Sequence, residues 1–207
     1  SGVPGFQNRI GERANMANSE TQTLSAGDRV LYWAQQAVIL VGASLFVALC
    51  ARVFLPLRFT PVPLTLQNFA VLLVGLALGG WRGFAALLLY LAEGVAGMPV
   101  FSPTGPGGLA QLLGPTGGFL LAYPVAAGLA GWIVERGKIS FARAALAGFG
   151  AEIVLFAGGI CWLAILTHSF AQAAKFGLYF FIFAEVIKVM MAAAISTGWR
   201  RAYGVQP

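Results

Sequence analysis

Thr60-Pro61-Val62-Pro63-Leu64-Thr65-Leu66-Gln67 opens the stretch, Thr60 to Phe119, around which the rest of the chain is organised. It continues through two short apolar runs, about Leu66–Gly80 and Gly83–Gly97, joined at Gly79-Gly80-Trp81-Arg82-Gly83, and closes in the glycine-rich Gly97–Gly118 region. Each run falls short of the roughly 20 residues that a helix needs to cross a bilayer. The joint has room only for a tight antiparallel hairpin. Short apolar segments broken by Gly and Pro, beside polar residues, are where membrane proteins place ligand sites. Function is therefore expected in this stretch first.

Composition sets the class. The 207 residues are 58% hydrophobic and only 10% charged, with a mean hydropathy of +0.80. That is too little polar side chain to wet the surface of a soluble globule, so the chain reads as an integral membrane protein. The apolar runs are long, are separated by turn signals and lack period-two alternation, which favours helices over a β-barrel. The net charge of +6 comes from basic residues standing singly at the ends of apolar runs rather than in a patch, so membrane topology explains it and nucleic acid does not. Cys50 and Cys161 lie within apolar runs, without metal or redox spacing, and read as small packing residues.

Outward from the central stretch, residues 1–30 are polar and read as a flexible cytoplasmic tail, neither signal peptide nor anchor. The first membrane segment spans Trp33 to Leu57 and carries Ser44 and Ala48, a small-x-x-x-small pair that lets a second helix approach closely or simply packs within the bundle. Further segments run from Gly117 to Val134, Ala144 to Thr167 and Phe176 to Trp199. The expectation is an all-α bundle of six transmembrane helices over residues 31–199, with a short tail at 200–207. Arg9, Arg13, Arg29, Arg82, Arg136, Lys138, Arg143, Arg200 and Arg201 fall on one side, against Arg52, Arg58 and Lys175 on the other. The positive-inside rule then places both termini in the cytoplasm, and the Thr60–Gln67 and Gly97–Gly118 loops outside.

Four ionisable residues interrupt the apolar segments: Glu93, Glu152, Glu185 and Lys188. A charge at the bilayer centre costs at least about 2.5–3.5 kcal/mol on the insertion scale, so such residues face a cavity, a partner or a substrate. Glu185 and Lys188, three residues apart, share one helix face. They form either an internal ion pair or a site in which Lys188 meets a ligand carboxylate and Glu185 accepts ligand N–H groups. Glu93, with Tyr90 one turn earlier on the same face, is expected to be a polar wall of the cavity. Glu152 has no basic neighbour in the sequence and reads as a helix–helix contact without a nameable partner.

Nothing in the chain supports catalysis. The single histidine, His168, stands apart from any metal-ligand set, and no H-E-x-x-H, G-x-S-x-G or paired-carboxylate spacing is present. No Walker A loop is present either, so ATP-driven transport would need another protein to bind the nucleotide.

Thr60-Pro-Val-Pro-Leu-Thr-Leu-Gln67, Gly79-Gly-Trp-Arg-Gly83, Tyr90-Leu-Ala-Glu-Gly-Val-Ala-Gly-Met-Pro-Val-Phe101 and Gly114-Pro-Thr-Gly-Gly-Phe119, in that order and spacing, resemble the BioY family. Those are the biotin-specific substrate-binding subunits, or S components, of energy-coupling factor (ECF) vitamin transporters. The resemblance covers about Leu31 to Trp199. It implies a multi-pass cell-membrane protein that binds biotin as ligand, uses no cofactor or metal, and works with a transmembrane coupling subunit and two ATPase subunits. It also implies that the acidic residue three positions before a lysine on the last helix, here Glu185 before Lys188, contacts the biotin ring system while the lysine takes its carboxylate. The acidic residue of that pattern is usually Asp. The extra methylene of Glu185 shifts the carboxylate by about 1.5 Å. Ser44 and Ala48 resemble, imperfectly, the motif that docks on the coupling subunit. Gln67, Tyr90, Glu93, Phe101, Glu185 and Lys188 form the expected binding set, with polar groups for the ureido ring, aromatic walls for the thiophane and a cation for the carboxylate. An S component for another vitamin, or a stand-alone secondary carrier, would share much of this pattern.

Overall fold

In the computed structural model residues 26–203 are described, apart from 59, 139 and 180. The expected tail residues 1–25 and 204–207, with Arg9 and Arg13, lie outside the described residues. The chain divides into two units, Ser1–Val38 and Ile39–Pro207. In the first, residues 26–38 form the beginning of helix α1 (Ala26–Ala51), where the rings of Tyr32 and Trp33 meet edge to face at 5.4 Å.

The second unit holds the rest. After α1 comes a two-stranded antiparallel pair, β1 (Phe54–Leu55) and β2 (Leu64–Thr65), with Phe54 opposite Thr65. The first membrane segment thus ends at Ala51 rather than at Leu57, because the chain beyond it extends to pair with Leu64-Thr65. Helices α2 (Gln67–Leu78) and α3 (Gly80–Val95) follow, then the short α4 (Gly108–Leu112), α5 (Gly117–Glu135) and α6 (Phe141–Thr167). A single-turn α7 (Phe170–Ala174) runs into a π-helical turn at Lys175–Tyr179 before α8 (Ile182–Ala202). The expected last segment therefore breaks near residue 180. The wide π turn, a feature frequent at functional sites, sets the start of α8 beside the cavity described below.

Length explains much of this arrangement. Among the described residues four helices, α1, α5, α6 and α8, are long and apolar enough to cross a membrane. Helix α2 has 12 residues and spans only about 18 Å, well short of a hydrocarbon core about 30 Å thick. Its first residues, Gln67 and Asn68, consequently lie within the bundle instead of at its rim. At its other end Arg200 of α8, buried, donates Nε–H to the Leu76 carbonyl at 2.9 Å, satisfying an acceptor that the end of the helix leaves open.

Leu72, Leu76, Leu87 and Leu155 are fully buried where α2, α3, α5 and α6 pack together. Small residues let these helices approach closely: a Cβ on Gly75 would strike the backbone of Ala127, and one on Gly118 the backbone of Gly158. Outward, Trp81, Ile153 and Phe183 are each more than 70% exposed. Apolar side chains so placed suit lipid rather than water.

Candidate functional site

Three connections gather at one end of this unit. Thr60 Oγ1 donates to the Phe176 carbonyl at 2.8 Å and joins the proline-rich segment to the π turn. Gln111 Nε2 donates to the Ser102 carbonyl at 3.2 Å, and Trp162 Nε1 to the Gly114 carbonyl at 2.9 Å, fixing the Gly97–Gly118 loop. Arg52, after α1, donates to the Pro99 carbonyl. Beneath these loops is a cavity with about 40 Å³ of enclosed room, or about 500 Å³ with its open mouth.

The cavity has a polar side and an aromatic side. Gln67, Asn68, Thr116, Tyr123, Gln111 and Glu185 supply most of the polar lining, while Phe119, Phe156 and Phe181 supply the aromatic wall. Phe119 and Phe156 meet edge to face at 6.3 Å, a favourable ring arrangement. The first turns of α2, α5 and α8 all reach the cavity, and a helix N-terminus carries partial positive charge.

The expected binding residues divide by position. Gln67 and Glu185 line the cavity. Tyr90, wholly buried, stands behind Gln67: its hydroxyl accepts from Gln67 Nε2 and donates to the Val100 carbonyl, both at 2.9 Å. Phe101 meets the Tyr90 ring edge to face at 5.4 Å and fills the notch left by Gly94. Lys188 stands behind Glu185, donating to Glu185 Oε1 at 2.8 Å and to the Thr65 carbonyl at 2.6 Å. Glu185 and Lys188 thus form an ion pair within α8. Held this close, the two charges present one point to a ligand, not two. Glu93 is not on the cavity wall, and its carboxylate accepts from the Ser44 hydroxyl. Ser44 is itself fully buried, with Ala48 half-buried one turn on.

Two residues were missed that connect the polar wall. Asn68 accepts from the Tyr123 hydroxyl at 2.9 Å and donates to Glu185 Oε1 at 3.4 Å, linking α5, α2 and α8. The signal was present: Asn68 directly follows Gln67 at the head of an apolar run, and Tyr123 is a polar aromatic in another. Glu152, for which the sequence named no partner, is buried on α6 one turn after Gly148, which packs against Val189, itself one turn after Glu185 on α8.

The BioY family model matches residues 18–205. A probable biotin transporter BioY of Pyrococcus horikoshii is 39% identical over 74% of this chain and 90% of its own length. The biotin transporter BioY of Rhizobium etli is 35% identical over 80% and 92%. Among solved structures, an S-component for biotin from an ECF-type ABC transporter superposes with a TM-score of 0.75 at 22% identity, covering 82% of this chain and 93% of that one, a likeness of fold. A family match running from before α1 through the end of α8 takes in every element that builds the cavity, and on that extent the chain belongs to the BioY family.

Proposed function

We propose that the protein binds biotin in the cavity under the Thr60–Gln67 and Gly97–Gly118 loops and takes it up across the cell membrane as the substrate-specific subunit of an ECF-type transporter. The observation that carries this reading is a cavity with an aromatic wall on one side and amides, hydroxyls and the Glu185 carboxyl on the other, with the Lys188 ammonium directly behind Glu185, in a chain whose relatives are biotin transporters. The ureido ring needs donors and acceptors in a small space, which Gln67, Asn68 and Tyr123 offer. The thiophane and valeryl chain suit Phe119, Phe156 and Phe181. The carboxylate is drawn to Lys188 and to the three helix N-termini. Glu185, 2.8 Å from that ammonium, positions it. Tyr90 and Phe101 act one layer back by holding Gln67 and the loop, and Glu93 braces α3 against α1.

The membrane arrangement is part of the proposal. Residues 31–199 form the binding domain, flanked by tails, and α1, α2, α3, α5, α6 and α8 make six passes, with α2 and α3 short. Arg29, Arg82, Arg136, Lys138, Arg143, Arg200 and Arg201 mark the cytoplasmic end, with both termini, against Arg52, Arg58 and Lys175 outside. A transmembrane coupling subunit and two ATPase subunits complete the transporter; of the expected docking pair, Ser44 is buried against Glu93 within the bundle, which leaves only the half-buried Ala48. Thermal unfolding of the purified protein with a panel of vitamins tests the ligand. Biotin alone is expected to stabilise strongly, and stabilisation by a different vitamin overturns the reading.

A further inference from the structure

Glu152 is 5% exposed on α6, and among the described residues no donor reaches either of its carboxyl oxygens. Glu185 Oε2, on α8, is orphaned in the same way, although Glu185 Oε1 takes both Lys188 and Asn68. Gly148 of α6 packs against Val189 of α8, and Glu152, one turn after Gly148, and Glu185, one turn before Val189, are therefore brought to the same place between the two helices, yet two carboxylates cannot bond because neither has a hydrogen to give. The charged and titratable groups facing this point are Glu185 and Lys188 from α8 and Tyr123 from α5; the nearest side chain from α2, Asn68, is neutral. Two carboxylates against one ammonium leave an uncompensated negative charge deep in the bundle, at a cost of several kcal/mol. Other cations are committed elsewhere: Arg200 is about three turns further along α8 and bonded to Leu76, while Arg52 is bonded to Pro99.

We infer that one proton is shared between Glu152 and Glu185 Oε2, making Glu152 a neutral acid that orients Glu185 and leaves the cluster with Lys188 uncharged overall. One proton accounts at once for two of the three orphaned oxygens, one on Glu152 and Oε2 of Glu185, and for the charge. It makes Glu152 a positioning residue: it fixes Glu185, which fixes the Lys188 ammonium offered to the ligand. The last step rests on the biotin reading above; the proton itself does not.

Infrared spectroscopy of the full chain in lipid nanodiscs at neutral pH tests the proton directly. The carbonyl stretch of a protonated carboxylic acid, shifted by H/D exchange, is expected in the wild type and absent from Glu152→Gln. No such band in the wild type, or a band undiminished in Glu152→Gln, overturns the inference. Biotin titration tests the positioning role. Glu152→Gln keeps an N–H to give Glu185 and should bind within about threefold of wild type, whereas Glu152→Leu should lose at least tenfold. Equal losses in the two variants refute positioning. Should the wild type fail to bind biotin, the functional reading falls, while the infrared result still decides where the proton is.

Discussion

Truncating Lys188 to alanine puts the ligand anchor to its sharpest test. Lys188 is 8% exposed; it bonds Glu185 Oε1 on its own helix at 2.8 Å and ties α8 to the Thr65 carbonyl at 2.6 Å. A hydrogen bond to a charged group contributes about 1.5–3 kcal/mol, so loss of the ammonium–carboxylate contact should weaken biotin roughly ten- to 150-fold. Removing one member of a buried pair also destabilises the fold, by about 3–5 kcal/mol where the remaining charge has no other partner. Asn68 and the proton proposed on Glu152 soften that here. Affinity must therefore be separated from stability. Calorimetric titration with biotin and with a neutral biotin amide does so, because the amide has no carboxylate for Lys188 to hold. The wild type should prefer the acid and Lys188→Ala should bind both alike, near the wild-type affinity for the amide. Undiminished binding of biotin refutes the anchor, and so does a loss shared equally by acid and amide, which would be damage to the cavity.

Glu185→Gln should weaken biotin while leaving the amide nearly unchanged, as expected of a residue that positions Lys188; an equal loss in calorimetry places Glu185 on the ring instead. Asn68→Ala removes the links to Tyr123 and Glu185 and should weaken acid and amide together by about 1 kcal/mol or more, measured by the same titration. Gly94→Val forces its side chain into the Phe101 ring and should lower stability by about 1–3 kcal/mol, read as a fall in the melting temperature without ligand. A cysteine at Lys138, in a protein with Cys50 and Cys161 replaced by alanine, should react with an impermeant thiol reagent only from the cytoplasmic side; labelling from outside reverses the proposed topology.

How much of this was legible before the coordinates differed by the kind of signal. Helices of one long apolar run announce themselves, and α5 and α6 lie close to their expected places because the run of apolar residues carries each helix through, even past Pro124 in α5. The ends of α1 and α8 shifted where tertiary pairing intervened, strand against strand after Ala51 and a π turn before Ile182. In the site, the i,i+3 spacing made Glu185 and Lys188 readable as neighbours, since both lie on one helix. Glu152 could not be placed, because its neighbour is on another helix and no local period encodes the rotation that brings α6 and α8 face to face. Tyr90 and Phe101 were taken for cavity walls because an aromatic beside glycine looks much the same whether it faces a ligand or another ring.

The small cavity follows from the same packing. About 40 Å³ of enclosed room accommodates a few waters, whereas pockets for molecules the size of biotin run to about 300 Å³ or more. Helices α2, α3, α5 and α6 have little freedom to yield, since glycine contacts such as Gly75 on Ala127 leave no slack between them. The connections are held mainly by separate hydrogen bonds: Thr60 to Phe176, and, for the Gly97–Gly118 loop, Trp162 to Gly114, Tyr90 to Val100 and Arg52 to Pro99. Each such bond contributes about 0.5–1.5 kcal/mol, small against the roughly 12 kcal/mol of a nanomolar ligand. Binding energy is therefore sufficient to part the loops while the bundle stays fixed. On the proposed function, that division keeps the polar anchors on α2 and α8 and assigns the yielding to the proline- and glycine-rich segments around them.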